Sequence, residues 1–304
     1  MVNEELQLLQ QRYGAGEARA LYELVMQRRF GLSRTDILLG KDTNLSADDQ
    51  AELQIIIHRM AKGEPVQYVL GAEEFCGREF LVGPGVLIPR PETQELVRLV
   101  RQHVAPASSI LDVGTGSGCI AITLALDGYQ VTALDISDEA LSYARRNAER
   151  LGAAVEFVKE DILSNSKSTI QNSELRAAAN SSFLDASAPR RTDKVRSFIL
   201  HSPFHCIVSN PPYVCEREAA EMDENVLLHE PRLALFVPDD DPLLFYRAIA
   251  DYGLRHLAAD GWLFSETNRA HARHVAELLR QKGYRDIETV KDQYDNDRFV
   301  VGRL

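Results

Sequence analysis

The stretch that most constrains the fold is a short apolar run that ends in two consecutive prolines. Residues 205–208 are mostly apolar and β-branched, which predicts a buried strand. Pro211 and Pro212 cannot donate backbone hydrogen bonds to a neighbouring strand, so the chain must leave the sheet here. Asn210 therefore ends the strand, and Tyr213 follows the turn. This order indicates a pocket at the carboxyl end of a sheet, although an ordinary proline-rich turn has the same local pattern.

From residue 109 onward, strand signals and helix signals alternate. Such alternation is typical of a doubly wound α/β domain, so we predict a Rossmann-like domain over residues 91–304. The segment 164–204 interrupts it, because it is rich in Ser, Asn, Ala and Arg, and we predict a mobile surface insertion there. Strands are expected at 110–113, 131–134, 155–158, 206–208, 261–265, 286–290 and 298–302, and helices at 118–126, 137–150, 242–256 and 270–282.

Residues 1–64 carry apolar side chains at helical spacing and predict a small helical domain, which suits the binding of a partner protein. Ser33 and Ser46 are predicted to cap two of its helices. The three isoleucines at 55–57 are expected to be buried in the last of them. The predicted helices cover 4–13, 15–28, 33–39 and 46–60.

Residues 65–90 change character and predict a β-hairpin linker between the two domains. Short strand-like pieces at 66–70, 80–82 and 86–88 are punctuated by glycines. A helix is then expected to begin at Pro91 or Thr93, because proline favours the first turn of a helix and threonine its cap.

The composition narrows the possible partners. The net charge is −11, so a broad phosphate-binding face is not expected and we predict no direct contact with nucleic acid. No apolar run approaches the length of a membrane span, and the acidic N-terminus is unlike a secretory signal. The 4 cysteines show no metal-ligand spacing, so we expect no metal and a reduced, cytoplasmic environment. We expect a monomer.

A glycine-rich loop at 114–118 joins the first predicted strand of this domain to the next helix. Glycines allow a tight turn in which the backbone approaches a ligand. Asp135 and Asp161 end the next two strands and are placed to bind the ribose hydroxyls and the adenine amine of a nucleoside, although Asp161 also suits a helix cap. Together with Asn210, these features predict an S-adenosylmethionine site made of Gly114, Thr115, Gly116, Ser117, Gly118, Asp135, Asp161 and Asn210.

The chemistry that this motif suggests is methylation of a planar amide or amine nitrogen. The lone pair of such a nitrogen is delocalised, so the nitrogen is a poor nucleophile in water. If the Asn210 side-chain oxygen and the Pro211 carbonyl each accept one N–H, the nitrogen is held in plane and its growing charge is stabilised in the transition state. Pro211 and Pro212 fix the turn, and Tyr213 offers a flat ring for stacking. No dedicated general base is needed, because the methylated nitrogen becomes strongly acidic.

Four segments together resemble the release factor glutamine methyltransferases, the HemK/PrmC family. They are GEPVQYVLG at 63–71, LIPRPET at 87–93, DVGTGSG at 112–118 and NPPY at 210–213, and the resemblance covers nearly the whole chain. It implies an S-adenosylmethionine-dependent enzyme that methylates the glutamine N5 in the Gly-Gly-Gln motif of peptide chain release factors and yields S-adenosylhomocysteine. By the same resemblance, Ile162 would lie against adenine, Asn210 to Tyr213 would hold the glutamine, and residues 1–64 would bind the release factor.

Three other functions are compatible with parts of the sequence. The NPPY motif also occurs in enzymes that methylate nucleic-acid amines, so an N6-adenine-type methyltransferase is the main alternative, and the acidic charge counts against it. A non-catalytic binder of release factors is expected to have a disrupted NPPY motif. A nicotinamide oxidoreductase would also use Asp135, but its loop would have the spacing Gly-x-Gly-x-x-Gly.

Arg90 and Glu92 either shape the pocket mouth or pair with each other on the surface. Glu266, at the end of a predicted strand, is expected to be structural.

Overall fold

The computed structural model describes residues 4–167 and 203–304 of the 304-residue chain. The predicted mobile insertion at 164–204 therefore lies outside the described residues, except for its two ends. Its first residues continue a short helix, Ile162–Lys167, and its last residue begins a strand of the main sheet.

The N-terminal region is helical, as predicted. Its first helix, Glu4–Phe30, contains a break at Gly14, whose φ of 73° and ψ of 171° are not helical, so two helical segments meet there. Ser33 and Ser46 cap the following helices through their side chains, which accept the backbone N–H three residues later. The other elements of this region are the helices Arg34–Leu38 and Ala47–Ala61 and the 3₁₀ helix Lys41–Asn44.

The core of this helical region corrects one prediction. Ile56 and Ile57 are buried, but the side chain of Ile55 is 61% exposed. Three consecutive helical residues spread over more than half of the helix circumference, so they cannot all face one core.

The linker is only partly the predicted hairpin. Strands β1 (Ala72–Phe75) and β2 (Arg78–Leu81) form an antiparallel pair, but Val66–Leu70 is a helix and residues 86–88 form no strand. Pro65 stands at the N-cap of this helix and its carbonyl accepts from the N–H groups of Tyr68 and Val69, while Gly71 closes the helix in a left-handed conformation. The capping of this segment by Pro65 and Gly71 therefore favours a helix more than its β-branched residues favour a strand.

The remaining chain builds a 7-stranded sheet from the strands β3 (Ser109–Val113), β4 (Gln130–Asp135), β5 (Val155–Lys159), β6 (Phe204–Ser209), β9 (Leu257–Glu266), β10 (Arg285–Lys291) and β11 (Asp297–Arg303). Their order across the sheet is β10-β11-β9-β6-β3-β4-β5. Strands β3, β4, β5, β6 and β9 run parallel, and β11 and β10 complete one edge in antiparallel fashion. Two strands outside this sheet, β7 (Val214–Cys215) and β8 (Phe236–Val237), pair with each other.

Helices cover both faces of this sheet and bury a separate apolar cluster on each. On one face, the helices Pro91–His103 and Cys119–Leu126 pack against strand residues in the cluster, and on the other the helices Leu244–His256 and Ala272–Gln281 do so. The predicted doubly wound α/β domain is confirmed. The remaining elements are the helices Asp138–Leu151, Glu224–His229 and Arg232–Leu235 and the 3₁₀ helix Glu216–Glu221.

Candidate active site

One cavity lies at the carboxyl ends of the central parallel strands. From β3 the strand order runs toward β4 and β5 on one side and toward β6 and β9 on the other, and open α/β sheets bind ligands at this kind of reversal. The predicted donor residues and the predicted acceptor residues thus share one cavity. The residues of both sets that line it are Gly114, Gly116, Asp135, Asp161, Ile162, Asn210, Pro211 and Pro212.

Part of the glycine-rich loop, for which donor binding is predicted over residues 114–118, lies behind the cavity wall. The Thr115 hydroxyl donates a hydrogen bond to Asp112 Oδ2 at 2.7 Å, so this side chain points into the fold. Ser117 is buried, and its carbonyl accepts from Asn147 Nδ2 at 2.9 Å. Gly118 does not line the cavity and packs against the helices instead. These three residues shape the loop, while Gly114 and Gly116 contact the cavity.

Gly118 should be the loop residue least tolerant of a side chain. Its φ of +83° is left-handed, and a Cβ would stand 2.8 Å from Ile122 Cδ1 and 3.1 Å from Ala144 Cβ. Backbone strain and overpacking together predict that Gly118→Ala lowers the free energy of unfolding by about 2–4 kcal/mol, measured by urea denaturation. Gly128 is the control, because its φ is +94° but nothing lies within 4 Å of its Cβ position. Equal losses in the two variants would contradict the packing argument.

Asp135 ends β4 beside this loop and has unused acceptor capacity. Its Oδ2 accepts from the Gly116 N–H at 2.9 Å, and its Oδ1 accepts from the Ser137 N–H at 2.9 Å. Each carboxylate oxygen can accept a second hydrogen bond, so two hydroxyl groups of a ligand can be held at once. Burial raises the pKa of this carboxyl, and the N–H groups of Ser137 and Gly116 oppose that rise.

Another part of the cavity lining is apolar. Ile162 is buried and lines the cavity together with Leu163, Phe245 and Ile249. Asp161 also lines it, while its Oδ1 accepts from the Leu163 N–H at 2.9 Å, so the cavity position and the capping contact predicted as alternatives occur together. Apolar walls with a few fixed polar groups suit a flat base attached to a ribose. The cavity therefore fits the adenosine part of S-adenosylmethionine.

Asn210 is the first of three side chains that are connected by hydrogen bonds, and the other two are buried. Its Nδ2 donates to Thr93 Oγ1 at 3.1 Å, and Thr93 Oγ1 donates to Glu266 Oε2 at 2.7 Å. Thr93 and Glu266 are 2% and 1% exposed. With its amide nitrogen engaged in this way, the side-chain oxygen of Asn210 is left as the acceptor at the cavity wall.

Tyr213 approaches the same glutamate from the other side. It does not line the cavity; its hydroxyl donates to Glu266 Oε1 at 3.3 Å, and burial raises the pKa of this phenol. Burial also raises the pKa of Glu266 to about 7, against the opposing effects of the Thr93 hydroxyl and the Arg298 guanidinium. Arg298 is itself held by Asp292 Oδ2 at 3.2 Å.

Arg90 pairs with a residue that the sequence analysis did not consider. Its guanidinium contacts Glu230 Oε1 at 2.5 Å, and Glu230 Oε2 accepts from the Ile88 N–H at 3.1 Å. The carboxylate of Glu230 is almost fully buried, and Pro231 next to it lines the cavity. Arg90 therefore pairs with Glu230 rather than with Glu92 and ties the linker to the segment that contains Pro231, while neither Arg90 nor Glu92 lines the cavity itself.

Comparison with known proteins agrees with this geometry. Residues 4–71 match the family model of the PrmC N-terminal domain, and residues 110–191 match a methyltransferase domain model. A release factor glutamine methyltransferase of Bacteroides thetaiotaomicron is 44% identical over 97% of this chain and 96% of its own length. The chain belongs to the release factor glutamine methyltransferase family. A release factor glutamine methyltransferase of Flavobacterium psychrophilum is a second relative, 35% identical over 93% of this chain and 91% of its own length.

A solved structure of a release-factor-specific protein-(glutamine-N5) methyltransferase from Alicyclobacillus acidocaldarius is also similar to this chain. It is 28% identical, with a TM-score of 0.38 over 74% of this chain and 98% of that chain. Family membership confirms the sequence-based predictions of a methyltransferase and of S-adenosylmethionine as its methyl donor.

Two residues of this methyltransferase site were missed by sequence reasoning. Thr93 was considered only as a helix start, and Glu266 only as a structural residue. Thr93 and Glu266 are polar residues next to the ends of predicted elements. They are 173 residues apart in the sequence, and no local pattern indicates that they form a hydrogen bond.

Within residues 4–167 and 203–304, no helix combines the length and apolar character needed to cross a membrane. The same residues bring together no three His, Cys, Asp or Glu side chains in a metal-ligand arrangement.

Proposed function

We propose that this protein transfers a methyl group from S-adenosylmethionine to the side-chain N5 of the glutamine in the Gly-Gly-Gln motif of peptide chain release factors. The observation that carries the proposal is the position of Asn210, which lines the same cavity as Gly114, Gly116 and Asp135. The family membership given by nearly full-length relatives supports the same substrate class.

In this proposal the two halves of the cavity have separate tasks. The donor supplies an electrophilic methyl group on a sulfonium. Gly114 and Gly116 bring backbone to its side of the cavity, Asp135 accepts the ribose hydroxyls, and Asp161 and Ile162 hold the base. On the other side, the Asn210 oxygen and the Pro211 carbonyl each accept one N–H of the substrate amide. These contacts keep the nitrogen planar and oriented, and they strengthen as its positive charge grows.

The remaining parts of the proposal concern the binding partner, the oligomeric state and the cellular location. The helical domain at 1–64, rather than a basic face, would bind the release factor, which agrees with the net charge of −11. Tyr213 does not line the cavity, so in place of the stacking predicted from the sequence we assign it a supporting role behind the wall, where its hydroxyl contacts Glu266. Direct contact with nucleic acid is not expected, and a monomeric, cytoplasmic protein remains the prediction.

The deciding experiment offers two acceptors to the same enzyme preparation. Purified release factor and an oligonucleotide duplex are each incubated with methyl-labelled S-adenosylmethionine. We expect label on the release factor only, on its Gly-Gly-Gln peptide by mass spectrometry, and no label when that glutamine is replaced by alanine. Label confined to the duplex would transfer the assignment to an amino-methyltransferase of nucleic acid, and label on the alanine variant would contradict the proposed acceptor atom.

A further inference from the structure

The orientation of the Asn210 amide is set by two side chains that do not line the cavity. Nδ2 of Asn210 donates to Thr93 Oγ1, and the Thr93 hydroxyl donates to Glu266 Oε2, with distances of 3.1 and 2.7 Å. Thr93 comes from the start of the helix Pro91–His103, and Glu266 from the end of β9. Three separate segments of the chain therefore meet behind the cavity wall.

The direction of these hydrogen bonds follows from proton counting. A threonine hydroxyl has one proton, and an ionised carboxylate has none, so the Thr93 proton must go to Glu266. Thr93 Oγ1 is then available only as an acceptor toward Asn210, and it can satisfy only the NH₂ end of that amide. The carbonyl end of Asn210 is consequently turned away from Thr93 and toward the cavity.

We propose that Thr93 and Glu266 are positioning residues that hold the Asn210 amide with its oxygen toward the methyl acceptor. The inference rests on the proposed function, because an amide nitrogen of the substrate needs an acceptor at this point. If the amide were reversed, its NH₂ group would face the N–H groups of the substrate, and the in-plane contact would be lost.

The surroundings of Glu266 favour this arrangement when the carboxyl is ionised. Tyr213 donates to its second oxygen at 3.3 Å, and Arg298 of β11 stabilises its charge, while Glu92 opposes it. Tyr246 of the helix Leu244–His256 donates to the backbone carbonyl of the same residue at 3.2 Å. When Glu266 is protonated, its own proton can go to Thr93, whose hydroxyl is then free to donate to the amide oxygen of Asn210. Protonation of Glu266 therefore removes the constraint that orients the Asn210 amide.

The first test compares two substitutions of Thr93. Thr93→Val keeps the shape and removes the hydroxyl, whereas Thr93→Ser keeps the hydroxyl. We expect Thr93→Val to lower kcat on release factor by roughly 10- to 100-fold, because an uncompensated buried polar contact is lost, and Thr93→Ser to stay close to wild type. The dissociation constant for the donor should be the same in all three proteins. Wild-type kcat in Thr93→Val would overturn the proposal.

The second test uses pH. Because burial places the pKa of Glu266 at about 7, the carboxyl is ionised above that pH and protonated below it, so kcat of the wild type should fall as pH drops through about 7. Glu266→Gln cannot titrate, and its kcat should be lower but without this step. A step that persists in Glu266→Gln would contradict the assignment to Glu266.

A third measurement needs no methyl acceptor and separates this inference from the proposed function. In protein labelled with ¹⁵N-asparagine, the side-chain amide signal of Asn210 is identified by its absence in Asn210→Ala. It should shift with pH near the Glu266 pKa in the wild type and lose that response in Thr93→Val and Glu266→Gln. If the wild type fails to methylate release factor but shows this response, only the proposed function fails. An unresponsive Asn210 signal in the wild type overturns the positioning role.

Discussion

Replacing Asn210 with alanine should abolish methyl transfer to release factor in practical terms, lowering kcat by roughly 10²–10³-fold, by analogy with the loss of one preorganised oxyanion donor. The Asn210 oxygen is the only side-chain acceptor that the proposed mechanism offers to the substrate nitrogen. Its contribution grows as charge develops on that nitrogen, so its loss affects the transition state more than the bound substrate.

The same variant should retain most of its affinity for the donor. Asn210 lines the cavity, but Asp135 ends β4 and the glycine loop follows β3, and the hydrogen bonds of Asp135 go to Gly116 and Ser137 rather than to Asn210. Single-turnover rates on release factor, together with donor binding by calorimetry, separate the two effects. Thermal unfolding provides the check on folding, since Asn210→Ala also leaves the Thr93 hydroxyl without its donor. Full activity in Asn210→Ala would refute the acceptor mechanism, and loss of donor binding would show that the residue serves the other half of the cavity.

The sequence was sufficient to predict those parts of the site whose position follows from a single strand end. Pro211 and Pro212 mark where β6 stops, and Asp135 marks where β4 stops. Because parallel strands end at one edge of a sheet, these residues had to be neighbours once the doubly wound fold was predicted. The cavity position of Ile162 was implied only by the family resemblance.

The features that could not be predicted depend on contacts between distant segments or on competing local signals. The meeting of Thr93 with Glu266 depends on how the helix Pro91–His103 packs against β9, which no short motif encodes. The helix Val66–Leu70 was predicted as strand because Val and Tyr favour strands, whereas the capping positions of its neighbours decided the outcome. Composition and spacing alone do not indicate whether strand propensity or capping residues will determine the structure of such a segment.

Replacing Asp135 with alanine should have the complementary effect and remove donor binding. If its two oxygens each accept one ribose hydroxyl, the loss is about 1.5–3 kcal/mol for each bond to a charged acceptor, which corresponds to roughly 10²–10⁴-fold weaker binding. The Gly116 and Ser137 N–H groups also lose their acceptor, so the loop between β3 and its helix should become less rigid. The affinity for the donor, measured by calorimetry, is the primary result.

Asp138 provides the matched control for this substitution. It lies three residues further along, at the start of the helix Asp138–Leu151, but its side chain is exposed, pairs with Lys159 and does not line the cavity. Asp138→Ala removes the same charge from the same region and should change donor affinity by less than about 2-fold, since exposed ion pairs contribute little. Equal losses of affinity in the two variants would mean that the net charge of the region, rather than the Asp135 carboxylate, holds the donor. A selective loss in Asp135→Ala, beside retained binding in Asn210→Ala, would establish that the cavity consists of one half for the donor and one for the methyl acceptor.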